Sequence, residues 1–133
     1  MAVNFTYSLD AELTKATKTL SKQKLFSWTE AVTGLHELIA VVTVAPSATE
    51  VISLGTISLI KAIFCDVKIE GGTDDYNAML TFSNQAGTGV TVQDNEIRFG
   101  SKLIVLDCKM TAVSITNLDT LNAIVCEVRM LGE

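Results

Sequence analysis

Alternation with a period of two residues runs through most of this 133-residue chain, carried by β-branched and aromatic side chains. Val3, Phe5, Tyr7 and Leu9 alternate with Asn4, Thr6 and Ser8. Phe26, Trp28, Glu30 and Val32 interleave with Leu25, Ser27, Thr29 and Ala31. Ile63, Cys65, Val67 and Ile69 share one parity while Asp66 and Lys68 take the other. Ile124, Cys126, Val128 and Met130 do the same against Glu127 and Arg129. Successive side chains of a strand point to opposite faces, so the pattern describes strands with one buried and one solvated face.

Turn residues divide these runs. Leu38 to Val44 ends at Ala45-Pro46-Ser47, and Val51 to Leu54 stops at Gly55. Ile57 to Glu70 is the longest run and ends at Gly71-Gly72-Thr73-Asp74-Asp75, residues that tolerate or satisfy turn conformations. Ala78 to Phe82 is the next candidate strand, and Ser83 to Gly89 reads as a loop. Val90-Thr91-Val92 and Ile97-Arg98-Phe99 flank Asp94-Asn95, a pair suited to a tight hairpin. Leu103 to Cys108 is apolar at both parities, as expected of a strand covered on both faces. Val113 and Ile115 precede a turn at Asn117-Leu118-Asp119.

Residues 9–20 admit two readings. Leu9, Leu13, Ala16 and Leu20 fall at helical spacing, and Ser8 is a possible cap. Thr14, Thr17, Thr19 and Ser21 favour two strands around a turn near Lys15–Lys18. With either reading the chain holds eight to ten short strands and no alternation of strands with helices. The expected package is one all-β domain over residues 1–133, an antiparallel, jelly-roll-like β-sandwich that buries two sheet faces against each other.

Charge and cysteine usage narrow the partners. The net charge of −5 repels phosphate backbones and disfavours nucleic acid. Residues 1–30 stand apart, with Lys15, Lys18, Lys22 and Lys24 against Asp10, Glu12 and Glu30. That cluster suits a solvated strand face or a docking patch. The N-terminal sequence lacks a basic stretch followed by an apolar one, and no apolar run reaches the roughly 18 residues of a membrane-spanning helix. No membrane role is expected. Cys65, Cys108 and Cys126 are odd in number and widely spaced in apolar runs, so they read as buried free thiols in a reducing cytoplasm.

A catalytic reading finds little support, and no cofactor, metal or catalytic residue is assigned. The single histidine, His36, lies beside a turn at Gly34, and no Gly-x-Ser-x-Gly elbow occurs. Ser58-x-x-Lys61 and Ser21-x-x-Lys24 match a serine–lysine spacing that brings the pair together only on a helix, whereas both lie in strand-like runs. His36-Glu37 opens a zinc signature but meets Ala40 where the second histidine belongs. Asp66, Glu70, Asp74 and Asp75 surround the Gly71-Gly72 turn; a solvated acidic turn explains them, although calcium takes such oxygen ligands. Among the eight aromatic residues, Tyr76 is the best candidate for stacking on a sugar, and Trp28 reads as core.

Three stretches carry a family resemblance. They are Thr19 to Gly34, a polar turn into a strand ending Val-Thr-Gly; Thr49 to Ser58, a strand followed by Leu-Gly and Ile-Ser; and Ile115 to Asp119 followed by Ala123 to Val128. Over residues 17–131 this order resembles the small β-sandwich structural virion proteins of tailed bacteriophages. The resemblance implies a capsid decoration, neck or tail-associated protein, assembled in a host bacterial cytoplasm and then part of the virion. It implies a homo-oligomer or docking on other virion proteins, with no enzymatic role. A carbohydrate-binding or adhesin-like module is the alternative. Uncovered edges are expected where strands are long and weakly charged, as in Ile57 to Glu70, and a surplus apolar face at Leu103 to Cys108.

Overall fold

The computed structural model describes residues 36–69, 78–85 and 95–133 in full, and the strands and register of residues 2–15, 18–33 and 94. The chain forms two compact units, Met1–Leu35 and His36–Glu133, where the alternation alone suggests one domain. Among the described residues there is no helix, and every strand pairing is antiparallel. The all-β reading therefore holds.

The first unit is a hairpin of β1 (Ala2–Lys15) and β2 (Lys18–Thr33). Of the ambiguous residues 9–20, residues 9–15 and 18–20 thus lie in two paired strands, with Lys15 opposite Lys18, while residues 16 and 17 lie outside the described ones. The threonines explain the outcome, since β-branched residues lose rotamer freedom in a helix and fit a pleated ribbon. The register sets Asp10 opposite Lys24 and Glu12 opposite Lys22, and it shifts after Leu9 and after Leu13. Tyr7 stands opposite Trp28, and Leu9 opposite Phe26. The expectation that Trp28 is core concerns a side chain outside the described ones.

The second unit holds β3 (His36–Val44), β4 (Thr49–Val51), β5 (Ile60–Ile69), β6 (Ala78–Asn84), β7 (Asp94–Phe99), β8 (Lys102–Val105), β9 (Met110–Asn117) and β10 (Ile124–Gly132). These eight strands form one open sheet, in which β5 meets β9 only through the pair Ile60 and Met110. On either side of that link stand four strands, in the orders β3-β10-β5-β8 and β4-β9-β6-β7. The pairing is nested: β3 with β10, β4 with β9, β5 with β8 and β6 with β7.

One face of each four-strand group enters the same core. Ile63, Cys65, Val67 and Ile69 of β5 and Ile124, Cys126, Val128 and Met130 of β10 are buried, as the alternation requires. Ala78 and Leu80 of β6 with Val113 and Ile115 of β9 supply the other side. Each fully buried isoleucine or valine contributes about 1.5–3 kcal/mol relative to an exposed one.

Several boundaries differ from expectation. Asp94 and Asn95 are no hairpin turn; they open β7 and pair with Ser83 and Phe82. A ladder partner has overridden local turn preference. The run Leu103 to Cys108 is a strand only to Val105, because β8 pairs with four residues of β5 and the chain then turns at Asp107, whose φ is 53°. It is not covered on both faces, since Ile104 is 47% exposed. Of the Val51 to Leu54 run only Val51 is in a strand, as the last residue of β4, with Ile52 buried beyond its end. The long Ile57 to Glu70 run is not an edge: its strand lies between β10 on one side and β8 and β9 on the other.

Two turns frame the β3–β10 pair. After β3, the amide of Ala48 donates to the carbonyl of Ala45 (3.1 Å), with Pro46 and then Ser47 at the corner. Ser47 has φ 60°, the left-handed value that a type II turn demands at its third residue. Before β10, Asn117 is fully buried yet satisfied. Its Nδ2 donates to the carbonyls of Val44 (3.1 Å) and Asn122 (2.8 Å), and its Oδ1 accepts from the Asp119 amide (2.9 Å). The expected Asn117-Leu118-Asp119 turn is thus built on the Asn117 side chain.

Candidate interaction surface

The solvent face of β3-β10-β5-β8 carries the densest exposed apolar residues of the second unit. The register crosses the sheet in rows. One row runs Ile39, Arg129, Phe64, Ile104; the next runs Val41, Glu127, Asp66, Lys102. Ile39 is 48% and Val41 65% exposed, both on β3. The first row ends on apolar residues at both sides, Ile39 and Ile104, while the second runs from Val41 through charged residues to Lys102. Arg129 Nε lies 3.1 Å from Glu37 Oε1, and Lys102 Nζ lies 3.1 Å from Asp66 Oδ2. Both pairs are solvent-exposed, so each contributes little to stability. Val51 and Leu121 are exposed as well, but on a different strand and in a loop.

Two cysteines of this sheet lie in the core. Cys65 and Cys126 are buried and free, and the Cys65 thiol is pushed far above its ordinary range by its hydrogen bond with Cys126 and by burial. Cys108 is half-buried rather than buried, which corrects the expectation for it. Its Sγ lies 3.5 Å from the Ile60 carbonyl, and burial pushes its thiol up to about 11. Little thiolate forms near neutral pH at either group, so neither is an activated nucleophile.

The sequence-derived chemical candidates fall apart in space or in role. His36 is exposed at the start of β3, with Glu37 and Ala40 on the same extended strand. Ser58 Oγ donates to the Glu133 carbonyl (2.9 Å), and Lys61 Nζ lies 3.9 Å from Glu133 Oε1. The serine hydroxyl is therefore engaged with a backbone acceptor. Of the acidic cluster, Asp66 is bound to Lys102; Glu70, Asp74 and Asp75 lie outside the described residues, as does Tyr76. The side chains of Ser21 and Lys24 are likewise outside them. Among the described residues no three His, Cys, Asp or Glu side chains are grouped to hold a metal ion. No helix among them is long and apolar enough to cross a membrane.

Sequence reasoning placed an uncovered edge at Ile57 to Glu70, which lies inside the sheet, and a surplus apolar face at Leu103 to Cys108, where Ile104 is indeed exposed; it missed β3. The signal for β3 was present in Leu38 to Val44, where apolar residues occupy both parities. What the sequence did not carry is that this run ends the sheet path while Ile57 to Glu70 lies inside it. No protein-family model, no curated protein and no solved structure matches this chain.

Proposed function

We propose that this chain is a structural virion component of the tailed-phage kind, acting by self-association or by docking on a larger assembly. The observation that carries the reading is the exposed apolar pair Ile39 and Val41 on β3, beside a sheet whose other solvent-face residues are largely charged. Solvent does not favour such residues on an outer strand, and cover by another chain does. The nested strand pairing supports the reading as well. Two groups in the orders β3-β10-β5-β8 and β4-β9-β6-β7 follow the pattern of an eight-stranded jelly roll, an architecture that serves capsid proteins and lectins alike. Fold alone does not assign a role.

The carbohydrate-binding alternative gains no specific support. Phe64, Phe82 and Phe99 are the aromatic residues whose side chains are described, and all three are half-buried rather than presented as open rings. Sedimentation velocity of the purified full chain at micromolar concentration tests the leading reading. A discrete oligomer is the expected result. A monomer at every concentration, without binding to other virion components, would remove it.

A further inference from the structure

The sheet has four outer strands, and they are not alike. Strand β4 has three residues and β8 four, of which one is Lys102. The six residues of β7 include Asp94, Glu96 and Arg98. Short length and charge are the ordinary devices that keep a sheet edge from pairing with another chain. Strand β3 is long and carries a single carboxylate. It runs nine residues, holds an unbroken register with β10, and contains no proline and no lysine. Its carboxylate, Glu37, is turned to Arg129 of the neighbouring strand. Among the described residues β3 pairs with β10 alone.

Strand β3 is also complementary to itself. Laid antiparallel against a copy and centred on Ala40, all nine residues find partners. Ile39 meets Val41 of the second copy, Leu38 meets its Val42, Glu37 its Thr43 and His36 its Val44. Directly opposed residues share a face, so exposed Ile39 and Val41 would cover one another while Leu38 and Val42 extend the core face. No like charges are opposed. A parallel copy in register would set Glu37 beside Glu37 and lose that match.

We propose that the edge of β3 is the self-association surface, and that a second copy of this chain pairs with it antiparallel about a two-fold axis through Ala40. This rests on the self-association reading above and names its surface and register. The result is a continuous sheet in the order β8-β5-β10-β3 followed by its symmetry mate, an isologous contact made by main-chain hydrogen bonds and specified by Ile39 and Val41.

The test uses three full-length variants. Opposed residues of an antiparallel pair have Cα atoms roughly 4.5–5.5 Å apart, within disulfide range. Under mild oxidation Ala40→Cys should give a covalent dimer on a non-reducing gel. Thr43→Cys should not, because residue 43 and its symmetry mate stand about 20 Å apart along the strand, six residues away from each other. Val41→Lys, on an exposed position that leaves the fold intact, should weaken association at least tenfold in sedimentation. Wild type, with its own three cysteines, is the oxidation control. An oligomeric wild type in which Ala40→Cys stays uncrosslinked, or Val41→Lys associates unchanged, overturns the β3 surface and leaves the assembly reading standing. A monomeric wild type overturns both.

Discussion

Strands β10 and β3 run side by side in unbroken register, yet they distribute their side chains in opposite ways. Strand β10 lies inside the sheet and separates its faces for most of its length: Ile124, Cys126, Val128 and Met130 inward, Glu127 and Arg129 outward. Strand β3 lies outside and carries apolar residues on both faces, half-buried Leu38, Ala40 and Val42 on one and exposed Ile39 and Val41 on the other. An outer strand is where polar residues cost least, so the inversion is informative. The central strand buries its apolar face and solvates its charged one, whereas the outer strand leaves apolar side chains open to solvent.

Matched truncations make that contrast quantitative. Met130→Ala on the inner face of β10 should cost about 2–5 kcal/mol in urea unfolding, from lost burial and the cavity left behind. Val41→Ala on the outer face of β3 should stay within about 0.5 kcal/mol for the unassociated chain. A large cost at Val41 in dilute protein would mean that its face is already covered within one chain.

The two strands are joined at one end by Asn117, and breaking that joint is the next largest effect. Asn117→Leu removes both amide donations and the acceptance from Asp119, leaving the Val44 and Asn122 carbonyls without their buried donor. A loss of about 2–4 kcal/mol is expected from those unsatisfied groups, read as a lower urea midpoint. Retention of wild-type stability would show that water replaces the side chain there.

The start of β10 should also respond to acid. Asp119 Oδ1 accepts from the amides of Leu121 (2.7 Å) and Asn122 (2.9 Å), and these hydrogen bonds hold its carboxyl below the ordinary value of 3.8. Its folded pKa is the lower one, so its contribution is complete above the unfolded pKa and is lost as pH falls through the folded pKa. Wild type should therefore lose a small stability advantage over Asp119→Asn as pH drops through the carboxylate range. Parallel pH curves for the two proteins would disprove the cap.

The smallest effect belongs to the corner after β3. Ser47 sits at φ 60° where glycine is unstrained. Ser47→Gly should raise stability by less than about 1 kcal/mol, the relief of left-handed strain being partly offset by a more flexible unfolded chain. A loss would show that Ser47 is held by more than its backbone bond to Asp119.

What the sequence disclosed was local. Alternation located β5 and β10 and assigned their buried faces, because one polar side per strand leaves a single consistent burial. Pro46-Ser47 and Asn117-Leu118-Asp119 were legible because their chemistry closes within a few residues. Asp94-Asn95 misled, since local preference favours a turn and a distant ladder partner, β6, decided otherwise. The uncovered edge was misplaced for the same reason. Whether Ile60–Ile69 or His36–Val44 ends the sheet depends on pairings between residues nearly a hundred positions apart, such as His36 with Gly132. No local pattern encodes that.

Nested pairing of first strand with last has a consequence for how the chain comes off the ribosome. Among the nested pairs of the second unit, β6 with β7 closes the shortest loop and has both strands in hand earliest, so it is the cheapest of them to form. Each later pair encloses a longer stretch, and β10, which slots between β3 and β5, is made last. Strands β3 and β5 must therefore wait through synthesis with their central neighbour absent. Throughout that interval Leu38 to Val44 is an apolar segment open to any neighbouring nascent chain, and it is shielded on its inner edge only when residues 124–132 have emerged.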